Sequence, residues 1–407
     1  MKIHKIYSIV FAFSVVPVFA SIVSAIVVTP FPDPAFEAAV RNKLGIPVPT
    51  PITDTDMLAL TVLDAHSKHI TDISGIGYAV NLTYLDLHIN QLTILPPEIG
   101  YLTKLTQLWL YSNPLTSLPA EIGNLSNLTE LWLPMNQLSS LPSEIGNLVN
   151  LKKLVLYSNQ LSSLPPEIGN LTKLTVLDLR FNHLNSLLPN IGNLTKLNIL
   201  HVSANQLNSI PSEIGNLINL TELYLSDNQL SSLPKEIGNL TKLTELSLGL
   251  NQLTSLPEEC QNLSNLERLT LGSNQLSTLS IEIGNLTNLM LFDVSSNQLN
   301  NLPAGMQNLT HLKYLYLQSN PLNTETYCNI IPLIISNNPG IDIRFDPNPN
   351  PSTNDCSTDL ADLTNFSTHW LETECEMTNN WCGGADLNHI NNVDMEDFAI
   401  LCQYWLE

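Results

Sequence analysis

The apolar positions of this chain keep a strict rhythm. In Leu85-Asp86-Leu87 two leucines flank one polar residue. A period of two sends both leucines to one side of an extended segment and Asp86 to the other. Asn90 follows, and then Leu92, Leu95, Ile99 and Leu102 at wider spacing. Steps of 23 residues from Asn90 land on Asn113, Asn136, Asn159, Asn182, Asn205, Asn228, Asn251, Asn274, Asn297 and Asn320, with no insertion or deletion. The unit is L-x-x-L-x-L-x-x-N-x-L-x-x-L-P-x-x-I-G-x-L. One copy cannot bury its own apolar face, but stacked copies share a continuous core.

The pattern predicts a short strand at each L-x-L, closed by an Asn whose side chain can satisfy backbone groups of the turn. Pro96, Pro119, Pro142, Pro165, Pro211, Pro234, Pro257 and Pro303 hold one position, and a Glu stands two residues after most of them. Pro at the first position of a short helical turn, with Glu in that turn, suits the turn's dipole. The Glu column reads as a solvated convex face. These residues resemble the leucine-rich repeat family over residues 58–345, and the LPxxIGxL half is similar to its plant-type and Ras-group-like subclasses. The resemblance implies an α/β solenoid, a leucine-rich repeat horseshoe with a parallel concave sheet, and a binding role, in most members for proteins.

The repeat has distinct ends. Residues 26–57 read as an N-terminal cap: Asp33 caps a helix, Pro34 opens it and Gly45 stops it. Residues 60–76 form an off-pattern first repeat, and "GIDIRFD" predicts a last edge strand. His66 and His69 lie in a turn of that first repeat and offer half a metal site with no evident third ligand. Residues 1–25 place Lys2 and Lys5 before a short apolar run and small residues at Ala20 and Ala25, the layout of a cleaved secretory signal. No other stretch is long and apolar enough to span a bilayer, so no membrane insertion is expected after cleavage. The expected location is secreted or cell surface, where disulfides form.

The residue between the paired leucines stacks from repeat to repeat on the concave sheet. That column runs Asp86, Trp109, Trp132, Val155, Asp178, His201, Tyr224, Ser247, Thr270, Asp293, Tyr316. Two residues further on, the next column runs His88, Tyr111, Pro134, Tyr157, Arg180 and then mostly Ser and Gly. Trp109, Tyr111, Trp132, Val155 and Tyr157 therefore form an apolar patch, bordered by Asp86 and His88 on one side and Asp178 and Arg180 on the other. Clustered Trp and Tyr with a polar rim is the composition of a binding hot spot, and an exposed patch of this kind marks an interaction site. Two ligand classes fit: a peptide or protein anchored on the tryptophans, favoured by the family resemblance, or a polysaccharide stacking its sugar faces on them.

Charge changes the picture at the C-terminal end. The chain has 16 Lys and Arg against 37 Asp and Glu, a net charge of −21. Such a surface repels nucleic acid and anionic lipid. Residues 346–407 hold 12 of the acidic residues and no Lys or Arg, which sets them apart as a module. Oxygen donors there fall at loop positions 1, 3, 9 and 12 as Asp386, Asn388, Asp394 and Asp397, with the backbone carbonyl of Asn392 at position 7. That spacing is EF-hand-like and points to calcium. "TDLADLTNFSTHWLE" repeats the motif 35 residues earlier, where Asp355, Asp359 and Asp362 are the acidic ligands. The duplicated loop-helix layout resembles the type I dockerin family. That resemblance implies a small α-helical calcium-binding module attached to a cohesin-like partner. The sequence departs from the family at Ile390 and Asn391 of the second loop and at Pro351 and Thr353 of the first. Cys356, Cys375, Cys382 and Cys402 also lie in this module and allow three disulfide pairings. No His, Ser or Cys constellation has catalytic spacing, so an enzyme is not expected. The reading is an exported binding scaffold, with an adhesin or host-facing effector as the alternative.

Overall fold

The computed structural model describes residues 31–346, so the signal segment and the dockerin-like module lie outside the described residues. Thirteen strands form one sheet in sequence order, from β1 (Val62–Asp64) and β2 (Tyr84–Asp86) to β12 (Tyr314–Tyr316) and β13 (Asp342–Arg344). Every neighbouring pair is parallel, as β3 (Gln107–Trp109), β4 (Glu130–Trp132) and β5 (Lys153–Val155) illustrate with Trp109 opposite Trp132 and Trp132 opposite Val155. The 23-residue step thus becomes a fixed register.

Each strand is only three residues long, but the ladder continues past it. The Leu87 amide donates to the Trp109 carbonyl at 2.9 Å, and Ile89 to Tyr111 at 2.9 Å. The chain then bends sharply. The residue before each repeat asparagine sits in the left-handed region, including Ile89 at φ 52°, Phe181 at 55° and Leu250 at 55°. This conformation is costly for side chains without a short polar group. It persists because the following asparagine locks the bend. Asn182 is buried, donates from Nδ2 to the Leu156 and Leu179 carbonyls at 3.0 Å each, and accepts from the Leu161 amide at 3.0 Å. The same contacts recur repeat after repeat, so the asparagines form a ladder through the turn.

From β1 to β12 the return half of each repeat is a single 3-10 turn, such as Ser143–Asn147, and only the last return, before β13, is an α-helix at Ile331–Asn337. The proline column corrects the expected placement. Pro142 is the residue before the turn, at φ −66° and ψ 150°, and does not occupy its first helical position; the prolines that do, Pro97, Pro166 and Pro189, stand outside the column. Extended φ and ψ suit proline there because it needs no amide donor at the corner. The glycine of Ile-Gly permits close stacking of these turns. A Cβ on Gly146 would lie 2.6 Å from both the Cβ and the carbonyl oxygen of Glu167 in the next turn. The glutamates are accordingly wedged against the glycines and mostly half-buried, less solvated than a convex face implies.

Buried side chains from Phe36 to Ile334 form one continuous core. Helix α1 (Pro34–Leu44) joins it through Phe36 and Val40. Asp33 accepts from the Ala35 and Phe36 amides at 2.8 and 2.9 Å, and its other oxygen accepts from the Thr71 amide at 2.6 Å, pinning the helix to the segment after β1. Burial opposes its charge, but these hydrogen bonds outweigh it and hold the carboxyl below its usual range. Among the described residues no helix is long and apolar enough to cross a membrane.

Candidate functional site

The open face of the sheet brings the sequence-predicted residues together as two adjacent side-chain rows. In the first row, the Trp109 and Trp132 rings pack with centroids 6.2 Å apart, tilted by 58°, and Tyr84 meets Trp109 edge-on at 5.4 Å. Both tryptophans are half-buried. Trp132 Nε1 donates to Glu130 at 3.1 Å, and Lys153 pairs with the same carboxylate at 3.1 Å. The Trp109 indole N–H is buried among its neighbours and has no partner.

The second row is a stack of flat groups. His66 lies on His88 at 4.6 Å with an interplanar angle of 5°, and His88 lies on Tyr111 at 4.2 Å and 14°. Buried Pro134 comes next, then Tyr157, whose ring is covered by the Arg180 guanidinium at 4.6 Å. Strand spacing in a parallel sheet is about 4.8 Å, so rings at equivalent positions meet face to face. The stack fixes each ring, which lowers the rotamer entropy lost when a ligand lands on it.

Two predicted contacts are placed differently. Asp86 is only 3% exposed. It accepts from Tyr84 Oη at 3.1 Å, from the His88 amide at 3.1 Å and lies 2.6 Å from His88 Nδ1, so it positions its neighbours and is not a free rim carboxylate. Val155, opposite Trp132 on one side and Asp178 on the other, is 4% exposed. Burial followed by the Asp86 charge raises the Tyr84 and Tyr111 hydroxyl pKa values, so both stay neutral donors. Asp178 and Arg180 are ion-paired at 3.3 Å, though Arg180 Nε has no well-aligned hydrogen bond. Burial pushes the Asp178 carboxyl up against the opposing hydrogen bond and charge of Arg180. Burial, with help from the Arg180 charge, pulls His201 down to about 4, so that imidazole is neutral.

The second half of the face is small and internally satisfied: Ser226 and Ser247 hydroxyls lie 2.6 Å apart, and Ser247 and Thr270 3.0 Å apart. The sequence reading missed Asp64 and His66 as members of the rows, because the first repeat is one residue short. The signal was present as Asp-x-His at 64–66 and again at 86–88. His66 consequently meets His88 and the two aspartates, not His69. The predicted calcium ligands Asp355, Asp359, Asp362, Asp386, Asn388, Asn392, Asp394 and Asp397 lie outside the described residues.

A parallel single-sheet solenoid with an asparagine ladder and an aromatic open face defines a repeat binding protein. Family models agree: the leucine-rich repeat region matches residues 54–186 and 137–255, and leucine rich repeat matches 265–322. The chain belongs to the leucine-rich repeat family. No curated protein matches it in sequence. Among solved structures it is similar to internalin InlF of Listeria monocytogenes, at 28% identity over 78% of this chain and 92% of that one, TM-score 0.67. It is also similar to the plant peptide hormone receptor RGFR1 in complex with RGF2, at 33% identity over 72% and 49%, TM-score 0.63. A third likeness is to a complex of Latrophilin 3, Unc5D and the leucine-rich repeats of FLRT2, at 25% identity over 70% and 90%, TM-score 0.59.

Proposed function

We propose that this chain is an exported, non-catalytic binding scaffold that takes up a peptide or protein ligand on the open sheet face, across Trp109, Tyr111, Trp132 and Tyr157. The observation that supports this most is the packed pair of half-exposed indoles beside a row of stacked flat groups. Aromatic anchors held in place before binding are what hot spots require. A displayed random-peptide library panned on the full chain tests it. Enrichment on the native protein, lost on Trp109→Ala/Trp132→Ala with an unchanged melting curve, supports the site. Equal enrichment on both refutes it. Selective capture of polysaccharide from a glycan array, with no peptide enrichment, moves the reading to carbohydrate.

The acidic C-terminal module serves as the attachment device, loading calcium in its duplicated loops and docking a cohesin-type partner. Its support is the spacing of Asp386, Asn388, Asp394 and Asp397 and the echo at Asp359 and Asp362. Calorimetric titration of the full chain with Ca2+ tests this: heat of binding removed by Asp386→Ala plus Asp397→Ala is expected, and no heat with the native chain sinks it.

A further inference from the structure

We propose a divalent transition-metal site at the N-terminal edge of the open face, formed by His66, His88 and Asp86. It lies beside the aromatic patch and stands independently of the ligand-binding role. One donor atom each from His66, Asp86 and His88 lie within 4.8 Å of one another. Asp64 Oδ1 stands 2.5 Å from His66 Nδ1 and orients that ring, as Asp86 Oδ1 stands 2.6 Å from His88 Nδ1. The register explains this: Asp64 is opposite Asp86, and the two Asp-x-His units repeat one strand apart.

The donor chemistry selects the ion. Two imidazoles and one carboxylate suit zinc, copper or nickel better than calcium, which takes an oxygen cage. Two donors on one tetrahedral zinc stand about 3.3 Å apart, from metal–ligand distances of about 2.0–2.2 Å. The clustered donors lie up to 4.8 Å apart, so they close toward that value when an ion binds. An ion must lie near the plane of each imidazole, so the parallel rings tilt out of their 4.6 Å stack when it binds. That motion uses the Cβ–Cγ torsion, which is broad and cheap. The site is half anchored and half open. Asp86 and His88 side chains are 4% and 14% exposed, held by packing, whereas His66 is 46% exposed and has room to close on an ion. His69 is in the same turn but is not among the clustered donors.

The test is a titration of the metal-free full chain with Cu2+, read by paramagnetic resonance, and with Zn2+ in competition with a colorimetric chelator. Cysteines and acids of the C-terminal module can take metal too, so the comparison is between variants. The native chain is expected to show a copper signal with two-nitrogen hyperfine structure. One zinc equivalent is expected to weaken at least tenfold in His66→Ala and in His88→Gln and to be unchanged in His69→Ala. His66 is exposed enough that its variant keeps the fold, checked by an unchanged melt without metal. Identical zinc stoichiometry and affinity in native and His66→Ala, or a copper signal without nitrogen coupling, overturns the site.

Discussion

Asn182→Ala perturbs the turn ladder at its centre, and the structure sets the cost. Asn182 accepts from the buried Leu161 amide, which has no other acceptor among the described residues. Its donors go to the Leu156 and Leu179 carbonyls, but those keep a second donor each, Asn159 on Leu156 and Asn205 on Leu179. One group is therefore orphaned and two are only weakened. An orphaned buried amide costs about 1–3 kcal/mol and each weakened acceptor about 0.5, so the loss is about 2–4 kcal/mol. Removal of the left-handed lock at Phe181 acts in the same direction. Asn90 differs, because it ends the ladder. Both the Lys68 and Ile70 amides depend on its Oδ1, and the Ala65 carbonyl has no other donor among the described residues. Asn90→Ala thus orphans more groups and costs more locally. The assay is urea unfolding followed by tryptophan fluorescence, with amide exchange at Leu161 and Ile70 to localise the effect. Exposed Gln160→Ala is the control. If Asn182→Ala matched that control within about 0.5 kcal/mol, the size of an ordinary surface change, the ladder would not be what holds the turn.

Two further outcomes follow from packing and charge. Gly146→Ala forces a methyl into the 2.6 Å space against Glu167 and separates two 3-10 turns, lowering stability by about 1–3 kcal/mol in the same urea assay; an unchanged midpoint would mean the turns do not need to touch. His201 has a folded pKa of about 4, below its ordinary 6.5, so the unfolded chain binds the extra proton between those values. Its stabilising contribution is present above about pH 6.5 and is lost as the pH falls toward about 4. A His201→Gln chain should show a flatter fall in urea midpoint between pH 7 and 5 than the native chain, and parallel curves would contradict the assignment.

Much of the architecture was legible because one period repeats without slippage. A 23-residue step in asparagine and leucine leaves a single stacking register, so which residues neighbour one another across strands follows from counting: Trp109 beside Trp132, Tyr111 beside His88. The edge strand at 342–344 was equally readable from its alternation. What counting could not supply is how neighbouring side chains use the space between them. Asp86 and Val155 occupy the same row as the tryptophans, yet both are covered, because exposure at a sheet position depends on the size and reach of the residues on either side. The proline offset, the left-handed bend at Ile89 and the glutamates wedged on glycine depend on backbone angles and turn-to-turn distances that residue identity alone does not set. His66 is the sharpest case. A first repeat one residue short hid it from the periodic frame, and only the pairing of β1 with β2 brought its imidazole onto His88. Periodicity determined the neighbours along this solenoid, and tertiary packing decided which of them face water, since burial is a property of three-dimensional contact and not of spacing along the chain.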